Sequence, residues 1–89
     1  MSDLTHLYEA SLAKWGVDGQ YDQAIEECAE LITALLHLRR QRMHEDEVIA
    51  EIADVSLMIG QLTYMFGRER VEEAKAAKIV KLNALLDKD

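Results

Sequence analysis

The chain has no proline, four glycines and one cysteine among its 89 residues. Without proline, no position is locked at a fixed φ and no helix interior is obliged to kink. A lone thiol, Cys28, excludes an intramolecular disulfide, so nothing points to an oxidising compartment. Positive charge is scarce too: ten Lys and Arg stand against seventeen Asp and Glu, for a net charge of −7. That argues against a nucleic-acid polymer as partner, because phosphate contacts need a basic surface. The N-terminal Met1-Ser2-Asp3-Leu4 lacks the basic-then-apolar pattern of a secretory leader. The longest apolar segment, Val48 to Phe66, is interrupted by Glu51, Asp54 and Gln61 and makes a poor membrane span. The expected location is cytoplasmic, without membrane attachment. No glycine-rich P-loop pattern is present either.

What is abundant favours helix. Leu, Ala, Glu, Ile and Met dominate, and 49% of the residues are hydrophobic. The length fits one domain, residues 1–89. Four helical segments are expected. The first covers about 3–14, with Leu4, Leu7, Tyr8, Ser11, Leu12 and Trp15 on one face. Gly16-Val17-Asp18-Gly19 then breaks it. The second covers about 21–39 and ends in arginines, which suit a helix C-terminus. After a polar connection around 41–46, the third covers about 47–66 and stops at Gly67. The fourth covers about 68–86, with Val71, Ala74, Lys78, Leu82 and Leu85 near one stripe. The fold class expected is all-α: a four-helix bundle that oligomerises through its helices. The oligomer follows from the third segment, whose apolar residues surround nearly its whole circumference. A helix of that kind is buried on most sides, and three short neighbours cannot cover it. At least a dimer is expected.

Two features run against this apolar pattern. Glu47, Glu51 and Asp54 follow i, i+4, i+7 spacing on the third segment and share one stripe. On the second segment, Glu27 projects within the apolar arc and Glu30 lies at its border. Like charges at helical spacing repel, and burial adds a desolvation cost. Such a stripe needs a cation, a proton or solvent, and a solvated helix edge is one reading of it. If the second and third segments pack antiparallel, with the chain reversing near Arg40 to His44, two carboxylate pairs meet between them. Oxygen-only ligands suit Mg²⁺, with Mn²⁺ as the alternative. Mg²⁺ so held retains water and accepts phosphate oxygens. His37 and His44 read as surface residues, and Cys28 as a packed core thiol.

Glu26-Glu27-Cys28-Ala29-Glu30-Leu31 and Glu51-Ile52-Ala53-Asp54-Val55 reproduce an E-E-x-x-E and an E-x-x-D motif on successive helices. Together with Lys14-Trp15-Gly16, Gln20 and the late Lys78-Ile79-Val80-Lys81-Leu82, they resemble the MazG-like, all-α nucleoside triphosphate pyrophosphohydrolases over most of the chain. The resemblance implies that Glu27, Glu30, Glu51 and Asp54 are both metal ligands and the catalytic set. It also implies cleavage of a nucleoside triphosphate between the α and β phosphates, giving monophosphate and pyrophosphate. Lys78 and Lys81 become candidate phosphate contacts, with a solvated helix face as the other reading. Trp15 either stacks on a nucleobase or anchors the core. Gln20 either reads a base edge or fills a turn. Ala50 stands where many relatives carry a second acidic residue, and Glu47 lies one turn earlier. Two other functions compete. One is phosphoribosyl-ATP pyrophosphohydrolase, although residues 20–25 lack the basic stretch expected of it. The other is a noncatalytic helical oligomerisation module.

Overall fold

The computed structural model describes residues 3–41 and 44–88. These residues form an all-helical chain of three elements: α1 (Thr5–Arg39), α2 (Glu45–Phe66) and α3 (Arg68–Leu86). The expected count of four is corrected at the first break. The predicted Gly16–Gly19 interruption shrinks to one residue, Gly16, at φ 77° and ψ 172°. That backbone region is open essentially to glycine alone, so Gly16 kinks α1 without ending it. Helix resumes at Val17, and Asp18 and Asp22 lie inside it.

The C-terminal half of α1 packs along α2, and α3 touches α2 alone at the level of the backbone. Arg40 closes α1, and Gln41 takes a positive φ of 60°. The rest of the predicted reversal, Arg42 and Met43, lies outside the described residues. Glu45, Asp46 and Glu47 form the first turn of α2, where negative charge complements the helix dipole. Gly67, at φ 111°, turns the chain from α2 into α3.

Ahead of the kink, the first half of α1 lies across the end of α2. The Tyr8 ring sits 6.4 Å from that of Tyr64. Its hydroxyl lies so close to Gly60 that an added Cβ would overlap it and stand 2.6 Å from Cζ. Beyond the kink, Tyr21 stacks on Phe66 with ring centroids 6.0 Å apart. Asp3 accepts hydrogen bonds from the Thr5 backbone N–H (2.9 Å) and hydroxyl, which hold its carboxyl below the usual range. Arg68 approaches the same Asp3 at 4.0 Å.

The core is thin. Among the described residues, the buried apolar side chains are Ala24, Ala34 and Val48. Cys28, expected in the core, is half-buried. Ile49, Ile52, Leu57, Ile59 and Phe66 of α2 are all exposed, and α3 buries none of its residues. By length and composition, α2 could also cross a membrane, and only 11% of its most apolar window is buried in the chain.

The kink yields a direct test. Gly16→Ala places a Cβ on a backbone that disfavours one, at a cost of about 1–3 kcal/mol. Urea unfolding followed by circular dichroism should show a lower midpoint. An unchanged midpoint would mean that the kink is not built on that φ.

Candidate metal centre

Because α1 and α2 run antiparallel, residues separated by whole turns on one helix meet residues similarly spaced on the other. Glu27 faces Asp54, and Glu30 faces Glu51, close enough for the charges of each pair to act on one another. One oxygen each from Glu27, Glu51 and Asp54 lies within 4.8 Å of the other two. Glu30 flanks this trio through Glu51. Glu27 and Glu51 are half-buried, whereas Glu30 and Asp54 are exposed. The small side chains of Ala24 and Ala34, buried on α1, let the helices come close enough for short carboxylate arms to meet.

The trio fits a divalent cation on two grounds. Glu27 Oε2 and Glu51 Oε2 are sealed from solvent and have no hydrogen-bond partner. Buried carboxylate oxygens without a donor are costly, and a hard cation is what such atoms accept. The second ground is spacing. Octahedral oxygens bound to one Mg²⁺ at about 2.1 Å stand about 3.0 Å apart at right angles and about 4.2 Å apart across the ion, so a trio within 4.8 Å reaches that spacing by side-chain movements of about 1–2 Å. The other oxygen of Glu27 is already held, since Gln23 Nε2 donates to its Oε1 at 2.7 Å. Gln23 was not among the expected site residues. Its i, i+4 spacing from Glu27 was the available signal.

Two clefts flank the carboxylates along the seam. The first, about 500 Å³, is lined by Glu26, Glu30, His37, Glu47 and Glu51 over a floor of small residues. His37 is therefore not a plain surface residue as expected: it is half-buried and shares this cleft with the acids. Glu26 lines it too. His44, in contrast, is exposed. The second cleft, about 370 Å³, lies toward the C-terminal end of α2 and is lined by Tyr8, Trp15, Gln20, Gln23, Met58 and Gln61, among others. Trp15 is 59% exposed, so within this chain it walls a cleft and does not anchor a core. Lys78 and Lys81 lie on the exposed part of α3 and line neither cleft.

The electrostatics follow from the packing. Desolvation raises the Glu27 carboxyl above its ordinary value; the Gln23 hydrogen bond opposes this, and the charges of Glu30 and Asp54 add to it. Glu30 is raised by desolvation first, then by the charge and the nearby carboxylate of Glu51. Both groups thus hold a proton more tightly folded than unfolded. Their contribution to stability is full below about pH 4.3, the ordinary glutamate value, and is lost as pH rises through their raised folded values.

Without divalent ions, Glu27→Gln should therefore gain thermal stability relative to the parent chain as pH rises from about 4 to 7. Melting curves in chelator at a series of pH values check this. A difference that does not change with pH would mean that Glu27 does not feel the neighbouring acids.

Compared with protein-family models, with curated proteins and with solved structures, the chain matches none.

Proposed function

We propose that this chain is a Mg²⁺-dependent nucleotide pyrophosphohydrolase that converts a (deoxy)nucleoside triphosphate into the monophosphate and pyrophosphate. The observation that carries this reading is the inward trio of Glu27, Glu51 and Asp54, with two sealed carboxylate oxygens that no protein group satisfies. Mn²⁺ suits the same oxygen donors.

Glu27, Glu51 and Asp54 would hold the ion, and Gln23 keeps Glu27 oriented by its hydrogen bond. A bound Mg²⁺ supplies charge neutralisation of the phosphates and a more acidic water. Glu30 stands at the edge of the trio, beside Glu51, where a carboxylate can accept a proton from an attacking water. The water oxygen bonds to the α phosphorus, and the bond from that phosphorus to the α–β bridging oxygen breaks. Pyrophosphate leaves with the electron pair, and the water's proton passes to Glu30. The acid-lined cleft and the aromatic cleft give the two ends of a nucleotide different environments on one seam.

The same reading includes an assembly of at least two copies, a four-helix or larger bundle. It is supported by the exposed apolar residues of α2 and α3, including Ile49 at 61%, Val80 at 68% and Leu86 at 74%. Lys78 and Lys81 would reach phosphate only if that partner brought its α3 to the cleft, since within one chain they line neither cleft. We place the protein in the cytoplasm. The carboxylates that α2 turns toward α1 would be expensive in a bilayer, so covering α2 with a second copy is the cheaper arrangement. The competing reading, a noncatalytic helical module, is favoured by the same exposed surface but leaves the sealed carboxylates unexplained.

A nucleotide panel with Mg²⁺ tests the reaction. The expected products are monophosphate and pyrophosphate; diphosphate and phosphate would overturn it. Asp54→Asn should lower the rate at least about 100-fold, equivalent to about 2.7 kcal/mol. It should melt no lower than the parent in chelator, yet gain less from Mg²⁺. Equal Mg²⁺ shifts with retained activity would remove Asp54 from the ligand set. Sedimentation equilibrium at micromolar concentration should give at least twice the 10.1 kDa chain mass. A folded monomer would refute the assembly.

A further inference from the structure

The two halves of α1 are held by different kinds of contact. Beyond the kink, the seam with α2 buries the apolar side chains of Ala24 and Ala34 and, from α2, Val48. Ahead of it, none of residues 5–15 is buried. This arm is held down by polar groups. Gln61 of α2, 3% exposed, donates its Nε2 to the Tyr8 carbonyl at 3.0 Å. Gln20, 4% exposed, reaches back across the kink and donates to the Ser11 carbonyl at 3.3 Å. The Tyr8 ring is seated against Gly60. The remaining tie, from Arg68 to Asp3 and Thr5, lies in solvent and contributes little.

Contacts of these two kinds resist separation unequally. An apolar seam opens only by returning its surface to water. A hydrogen bond opens more cheaply, because water replaces the lost partner. Nor does the arm rest on a filled interior. A cleft of about 370 Å³ lies between Tyr8, Ser11 and Trp15 of the arm and Gln20, Met58 and Gln61 beyond it. Trp15 and Leu57, which also line it, are already 59% and 46% exposed, so lifting the arm uncovers little further apolar surface. The pivot is free as well. A Cβ built on Gly16 would meet nothing within 4 Å, and a glycine passes between its present φ of 77° and helical values without a side-chain penalty.

We infer that residues 5–15 form a hinged lid that swings about Gly16 as one unit, latched by Gln61 and Gln20, while the α1–α2 seam beyond the kink stays closed. Opening breaks the two amide bonds, unseats Tyr8 from Gly60 and widens the cleft by removing its arm-side wall. Water then satisfies Gln20 and Gln61, which is why polar latches suit a part that moves. Glu27, Glu51 and Asp54 belong to the seam and keep their places. A molecule that touches both walls of the cleft holds the lid shut by mass action. The device works in the same way whether or not that molecule is a nucleotide.

Amide hydrogen exchange of the whole protein, followed residue by residue by NMR, reads the lid directly. In the parent chain, the amides of Glu9 to Trp15 should share one protection factor, at least about tenfold below that of residues 24–36. Two variants then release the latch without touching the arm's own sequence. Gln61→Met removes the donor to Tyr8. Gly60→Ala places a Cβ where the Tyr8 hydroxyl sits, 2.6 Å from Cζ, while favouring helix in α2. Each should lower protection in the arm by at least about tenfold more and leave residues 24–36 within about threefold of the parent. Should Gln61→Met fail to fold, Gly60→Ala decides alone. Simple fraying of a helix end predicts instead a gradient of protection rising from Thr5 inward that neither variant alters, and that result would overturn the lid. So would an arm and a seam that lose protection together, since they would then open as one unit.

Discussion

Close approach of α1 and α2 is the constraint on which the rest of this structure depends. It is achieved with small side chains: Ala24 and Ala34 are buried on one helix, and Val48 is the buried apolar residue on the other. Larger residues on this seam would hold the helices further apart, and the short arm of Asp54 would no longer meet Glu27. The same approach creates the electrostatic problem it then has to solve. Acids that would be harmless on separate solvated helices are desolvated together, and two of their oxygens lose access to both water and protein donors. A proton or a metal ion between the helices would relieve that cost.

Much of this was legible in the sequence because helical periodicity is a local property. The spacing of Glu27 and Glu30 against Leu31, Ile32 and Leu35 put the acids toward the apolar side. The reversal between the helices then placed Glu51 and Asp54 opposite them, as the structure does. The end of α2 at Gly67 was equally clear, since a residue at positive φ favours glycine. The break at Gly16 was read correctly in place but not in extent. Two glycines and an aspartate in four residues look like a loop, whereas one unusual φ/ψ pair suffices to redirect the helix and the others continue it.

What the sequence did not disclose depends on contacts across elements. His37 looked solvent-facing on its own helix, and only the arrival of Glu47 and Glu51 from α2 turned its position into a cleft. Gln61 gave no signal at all. Its importance comes from a hydrogen bond to a residue 53 positions away, which no periodicity predicts. Trp15 failed as a core anchor for a related reason: the first half of α1 folds across α2 at an angle that leaves the indole on the rim. The all-round apolar character of α2 was plain from its residues, and the single chain leaves most of that surface open.

Along α1, Gly16 is the one interior residue with non-helical backbone, and it separates two walls of the aromatic cleft. Tyr8, Ser11 and Trp15 belong to one side of the kink, while Gln20, Gln23 and the acids of α1 belong to the other. The angle at that residue therefore sets the width of the cleft without touching the carboxylates. Such a division lets the two ends of the seam vary independently over evolutionary time. Substitutions that reset the kink, or the amides that brace it, can change what fits beside Trp15 while the charge arrangement between the helices is inherited intact.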